Sequence, residues 1–340
     1  MNPDGSQQQA ITTDAGSEDF PSWSPDGRQI AFLRGSTITI MNADGTNLTP
    51  LIGVNPFTLV GFPREHFNID WSPDGSWLTF NDGTDIKMMR TNGSDLTNLT
   101  DGKFFNYSPA WSPNGTKIVF ERSSSFNGQY VKLFTVNRDG TDVRILTTTP
   151  AFTESRSADW SPDGSKLVYA TAAGVTEPNG LAIIRMDGTG FENLLPYAEP
   201  EPGAPKWSPD GAKVVFHRFH SSSLETQIWA MDRQGGIPTQ LTFVPGNNFR
   251  PDWQPLTSVS ISGRVTGPGG AGIRSARVMI TNPNGYRQTV TTSSFGYYSF
   301  AEVPVGASYT VGVESRRYRF APQTLTINDF LTGIDFVGQE

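Results

Sequence analysis

The chain has 340 residues, no cysteine, a net charge of −7, and 35 glycines with 25 prolines. Without cysteine there are neither disulfides nor thiolate metal sites, and the acidic balance argues against nucleic acid, whose phosphates call for a basic stripe. No apolar run approaches the roughly 20 residues of a membrane span.

The chain opens on Met1-Asn2-Pro3-Asp4-Gly5, a phrase that returns as Met41-Asn42-Ala43-Asp44-Gly45, and Ile11 stands six residues past Gly5 as Leu51 stands past Gly45. Between these copies begins the dominant repeat, Trp23-Ser24-Pro25-Asp26-Gly27. It recurs at Trp71, Trp111, Trp160 and Trp207 and decays at Trp253-Gln254-Pro255, so successive tryptophans lie 48, 40, 49, 47 and 46 residues apart. Such a period marks an array whose units cannot bury their own faces.

Within a unit, Pro presets φ in the Ser-Pro-Asp-Gly turn and Gly accepts a left-handed backbone, predicting a hairpin from the tryptophan strand into the next. That second strand carries Ile30/Phe32, Leu78/Phe80, Ile118/Phe120, Leu167/Tyr169 or Val214/Phe216. The residue between them is usually apolar too, as expected of a sheet covered on both faces. A second hairpin turns at an Asp-Gly or Asn-Gly pair and leads to the anchors Leu51, Leu99, Leu146, Leu194 and Leu241. Each unit is therefore a four-stranded meander, and radial repetition predicts an all-β, six-bladed β-propeller over residues 1–256. Trp23, Trp71, Trp111, Trp160, Trp207 and Trp253 are its structural core. The sixth blade draws on both ends of the array and lacks its second strand and most of its third. The sequence thus reads as an N-terminally truncated fragment that has lost an export signal.

The Trp-Ser-Pro-Asp-Gly phrase, followed by Met-Asn-x-Asp-Gly and Leu-Thr, resembles the propeller repeats of the TolB family over residues 1–255. That resemblance implies a docking surface for other envelope proteins and a periplasmic or cell-surface location. After Pro255 the composition changes: lysine disappears, and residues 258–340 hold seven arginines against five acids. Ile261-Ser262-Gly263-Arg264-Val265, Phe295-Gly296-Tyr297-Tyr298-Ser299-Phe300, Val303-Pro304-Val305-Gly306 and Phe320-Ala321-Pro322 resemble a carboxypeptidase-regulatory-like domain. The resemblance implies a small transthyretin-like, Greek-key β-sandwich over residues 257–340, and alternation such as Tyr298/Phe300 and Val311/Val313 predicts its one-sided burial.

Catalytic chemistry finds little support. His66, His217 and His220 are the only histidines, and residues three apart on a strand point to opposite faces. There is no Gly-x-Ser-x-Gly elbow and no phosphate-binding glycine loop, so no catalytic residue and no cofactor is expected. Asp70, Asp159 and Asp252, each just before a repeat tryptophan, are candidates for holding a hard cation in the channel. The alternative is that each bonds a backbone N–H or a neighbouring blade. Asp26, Asp74, Asp163 and Asp210 read as local turn acceptors.

Insertions fall between second and third strands and between blades, two loop classes that emerge on one face of the disc. Variable loops gathered on one face of a repeat array usually bind. The expected ligand-binding residues there are Arg64, His66, Phe67, Phe105, Tyr107, Phe126, Arg156, Tyr197, Phe219 and Arg250, with about half of such loop aromatics folding over the blades as satellite core. Aromatics and arginine dominate protein interfaces, so a protein partner is expected, with the sandwich as a spacer or second contact module. A carbohydrate-binding surface protein and a propeller-based polysaccharide lyase or hydrolase are the alternatives.

Overall fold

A computed structural model of the chain describes residues 1–12, 17–54, 67–82, 84–123, 131–147, 153–173, 180–195, 202–220, 225–243, 246–255, 258–283, 285–305, 307–327 and 331–339. They fall into two compact units, Met1–Pro255 and Leu256–Glu340.

The first unit carries five four-stranded antiparallel meanders among its described residues. Blade 1 runs Glu18–Trp23, Gln29–Arg34, Thr37–Asn42 and Thr49–Gly53, and blades 2 to 5 repeat the order, with inner strands Ile69–Trp71, Phe105–Trp111, Thr153–Trp160 and Pro202–Trp207. The hairpins follow the turn chemistry. In blade 1, the Ser24 hydroxyl donates to Asp26 Oδ1 at 2.6 Å and accepts the Gln29 N–H at 2.9 Å, and Gly27 takes φ 66°. Asp74, Asp163 and Asp210 close their turns in the same way.

Apolar second and third strands are buried between neighbours. Ala31, Leu33, Ile38 and Ile40 of blade 1 pack on Trp71, Leu78, Phe80 and Met89 of blade 2. Comparable clusters fill the seams between blades 2 and 3, 3 and 4, and 4 and 5.

The sixth position is built differently. Its described parts are the segment 1–12 and the segment 246–255, and neither contains a strand. The Gly5 turn has the same hydrogen bonds as the Gly45 turn. Gly5 lies against the Leu241 carbonyl of blade 5 as Gly45 lies against the Ile11 carbonyl. The chain start therefore takes the outer place of a sixth blade and Trp253 the inner one. Where a second and third strand would add apolar side chains, the clusters are small: Val215, Ile228, Ala230 and Leu241 with Trp253, and Ile30, Phe32 and Met41 with Trp23. Trp71, Trp111, Trp160 and Trp207 are buried, whereas Trp23 and Trp253, which flank this thin blade, are only partly so.

The second unit is a two-sheet sandwich. Ser258–Thr266 lies between Tyr297–Pro304, antiparallel, and Phe336–Val337, parallel; the other sheet orders Arg287–Thr291, Arg277–Thr281, Ala307–Glu314 and Gln323–Ile327. One core that includes Ile261, Val278, Tyr298, Phe300, Tyr309 and Val311 fills the space between them. The buried tyrosines satisfy their hydroxyls on backbone: Tyr298 donates to the Ile334 carbonyl at 2.6 Å and Tyr309 to the Pro304 carbonyl at 2.8 Å.

Candidate functional site

Two places on the propeller gather chemistry-bearing residues, the axial channel and the loop face at one end of it. The channel is lined by the inner strands, and its tiers follow from position relative to each repeat tryptophan.

Three residues before the tryptophan stand Phe20, Asn68, Ser108, Ser157, Ala204 and Arg250, which line an axial pocket of about 40 Å³. All but Asn68 have left-handed φ, between 45° and 60°. Register shifts on four inner strands mark β-bulges at this level. A non-glycine residue in that region costs about 1–3 kcal/mol and persists only where its surroundings over-determine it. At Ser157 a cross-blade bond helps to do so. Ser157 N–H donates to Glu121 of the preceding blade at 2.7 Å, and Asn68 Nδ2 donates to the Pro109 carbonyl of the next at 2.9 Å. The Arg250 guanidinium lies 3.8 Å from the Phe20 ring centre, and Phe20 meets Phe67 edge-on at 4.8 Å.

One residue before the tryptophan, the six blades present Ser22, Asp70, Ala110, Asp159, Lys206 and Asp252. The acids occupy alternate blades, and each ties its blade to the next. Trp111 N–H donates to Asp70 Oδ2 at 2.6 Å, Trp207 N–H to Asp159 Oδ2 at 2.8 Å, and Trp23 N–H to Asp252 Oδ2 at 2.9 Å. Two of the intervening seams use the indole instead: Trp71 Nε1 donates to the Ser22 carbonyl and Trp160 Nε1 to the Ala110 carbonyl, both at 3.0 Å. Lys206 Nζ reaches Asp159 Oδ1 at 3.1 Å, with about a fifth of each side chain in contact with water.

Burial pushes the Asp70 carboxyl up to about 7 and that of Asp252 to about 6; Lys206 and the N–H donors pull each back, and the other carboxylates add to the rise. Burial alone would lower Lys206, but Asp159, Asp70 and Asp252 together outweigh it and raise it. Among the described residues no three His, Asp or Glu side chains form a group able to hold a metal ion.

His217, in the strand Lys213–His220, accepts the Arg250 N–H on Nδ1 at 3.5 Å, is crossed edge-on by Phe249 at 5.9 Å, and is pushed down to about 4 by burial and then by Arg250.

On the loop face the expected ligand-binding set divides. Phe67 and Tyr107 are buried, a correction to the expectation that they are offered to a ligand. Phe67 fills the seam between blades 1 and 2 against Phe20, and Tyr107 stands four residues before Trp111 on an inner strand covered by its neighbours. Arg250 is committed to the Phe20 ring and Arg156 to the Glu154 carboxylate. Phe105 is partly buried, and Phe219 is exposed by 41%. Arg64, His66, Phe126 and Tyr197 lie outside the described residues. Two phenylalanines outside the expected set stand in blade-connecting segments on the same face, Phe243 (74% exposed) and Phe249 (53%). Their signal was present, for both sit in an inter-blade stretch after the last anchor, Leu241. Phe104, exposed by 39%, carries the Arg122 guanidinium 4.8 Å from its ring centre.

Similarity to known proteins follows the two units. Residues 260–336 match the family described as carboxypeptidase regulatory-like domain. No curated protein matches the chain in sequence. Among solved structures, a protein described as TolB from Agrobacterium tumefaciens aligns at a TM-score of 0.59 and 20% identity, covering 72% of this chain and 89% of that one. TolB from Acinetobacter baumannii aligns at 0.57 and 19% over 72% of this chain and 59% of that one. A chain of a nidogen/laminin complex aligns at 0.50 and 15%, covering 64% and 76%. At these identities the likeness is one of fold. The chain carries a TolB-like β-propeller followed by a carboxypeptidase regulatory-like domain. No helix among the described residues is long and apolar enough to cross a membrane.

Proposed function

We propose that the protein is a non-catalytic binding platform that works outside the cytoplasm, in the periplasm or at the cell surface. The loop face of its propeller docks a protein partner, and the C-terminal sandwich serves as a spacer or second contact module. The observation that carries this reading is the collection of exposed phenylalanines, Phe104, Phe219, Phe243 and Phe249, on the face where the blade-connecting segments emerge. Large aromatics with little rotamer freedom make efficient interface anchors. The polar groups along the axis support a structural rather than a catalytic role for the channel, because its carboxylates are engaged in blade-to-blade hydrogen bonds. A docking role also fits the fold shared with TolB proteins.

The test is capture of partners from an envelope extract by the full chain and by two variants. Phe219→Ala with Phe249→Ala is expected to lose the proteins retained by the parent, whereas Ile237→Ser, on the opposite turn face, keeps them. Equal retention by all three chains counts against the loop face, and selective binding on a glycan array in place of any protein favours the carbohydrate alternative.

A further inference from the structure

The tier just before the repeat tryptophans contains a break in its own rule. Blades 2, 4 and 6 supply Asp70, Asp159 and Asp252, and blades 1 and 3 supply the small, uncharged Ser22 and Ala110. Blade 5 follows neither pattern and supplies Lys206. Each carboxylate spends Oδ2 on a tryptophan N–H of the next blade, and for Asp159 the remaining oxygen meets Lys206 Nζ at 3.1 Å. All three carboxylates act on that one ammonium. Three like charges around one axis repel, and at low dielectric the repulsion is poorly screened. A carboxyl that escapes it by taking a proton becomes a weaker acceptor for the seam N–H, because charge-assisted hydrogen bonds are roughly twice as strong as neutral ones.

We infer that Lys206 is a tethered counter-cation: its ammonium, carried in by blade 5, holds the Asp70, Asp159 and Asp252 carboxylates in the state that bolts alternate seams of the ring. Among the described residues, charged groups one tier away are Arg250 of blade 6, held on Phe20 with the titratable His217 of blade 5 beside it, and the Glu121 carboxylate of blade 3, which accepts the Ser157 N–H. Blades 1 and 3 bring no charge to the tier.

The experiment replaces the ammonium while keeping the stem. Lys206→Met in the full chain is expected to lower the thermal midpoint by roughly 5–10 °C at pH 8 and by much less at pH 5, where the carboxyls can take up protons. Adding Asp70→Asn to that background is expected to restore part of the midpoint at pH 8. Lys206→Ala, which leaves a cavity, is expected to be stabilised by propylammonium more than by equal tetramethylammonium, an effect absent from the parent chain. If Lys206→Met folds only at pH 5, that also supports the proposal. An equal loss at both pH values, failure to fold at either, or no preference for the primary amine would overturn it, because each reports lost packing rather than lost charge.

Discussion

At the residue scale, the repeat tryptophans differ in worth because their seams differ. Trp160 is buried among Val119, Leu133, Leu167 and Tyr169 and donates its indole N–H to the Ala110 carbonyl. Among the described residues, Trp23 packs on the small cluster of Ile30, Phe32 and Met41 beside the thin sixth blade. Trp160→Ala is therefore expected to cost about 3–5 kcal/mol in equilibrium urea unfolding, and Trp23→Ala clearly less. The channel acids make a second prediction, about pH. Folded Asp70 and Asp252 hold protons up to about 7 and 6, whereas the unfolded chain releases them near 4. Their contribution to stability is thus greatest in acid and is lost as pH rises through those values. His217 acts in the opposite sense: depressed to about 4, it favours the fold above roughly 6.5 and loses that contribution as pH falls. Between about 4 and 6 the two carboxyls outweigh the one imidazole, from about 6 to 6.5 Asp70 and His217 offset one another, and Asp70 acts alone from there to about 7. Asp70→Asn keeps an oxygen for the Trp111 N–H but cannot titrate. Thermal melts between pH 6 and 8 should be flatter for this variant.

At the scale of elements, each blade is fixed by its two turns and each seam by what the turns bring near. Gly45 and Gly93 occupy equivalent turns with the same φ of 85°. A Cβ on Gly45 would come within 2.3 Å of the Ile11 carbonyl oxygen, whereas on Gly93 the nearest atom is 3.8 Å away. Both alanine variants strain the left-handed backbone by about 1–2 kcal/mol, but Gly45→Ala should be the more destabilising, as chemical denaturation would show. The turns and strand pairs were legible because they rest on residues within a dozen positions of one another, such as Ser24 with Asp26. The left-handed bulge residues were not. Phe20, Ser108, Ser157, Ala204 and Arg250 share no side-chain chemistry, and their common conformation is imposed by the ring. The burial of Phe67 and Tyr107 was hidden for a similar reason, since an aromatic near a strand end faces solvent or a seam according to its neighbour's register.

At the scale of the whole molecule, the sandwich has a hydrophobic core of its own, from Val259 to Phe336. Residues 258–340 expressed alone are expected to give a cooperative thermal transition, and calorimetry of the full chain should contain that same transition. A fragment that stays unfolded would show that the sandwich depends on the rest of the chain.

The amino-acid order by itself determined the number and kind of units: a period near 47, with turn chemistry repeated inside it, leaves no economical packing other than meanders around an axis. It also displayed Ser22, Asp70, Ala110, Asp159, Lys206 and Asp252 in their places. What these six residues do was decided only by the tertiary structure. A carboxylate finds its partner N–H some 41 to 48 residues away in blades 2 and 4, and in the sixth by closing the ring from Asp252 back to Trp23. Only folding the array around its axis brings those charges together.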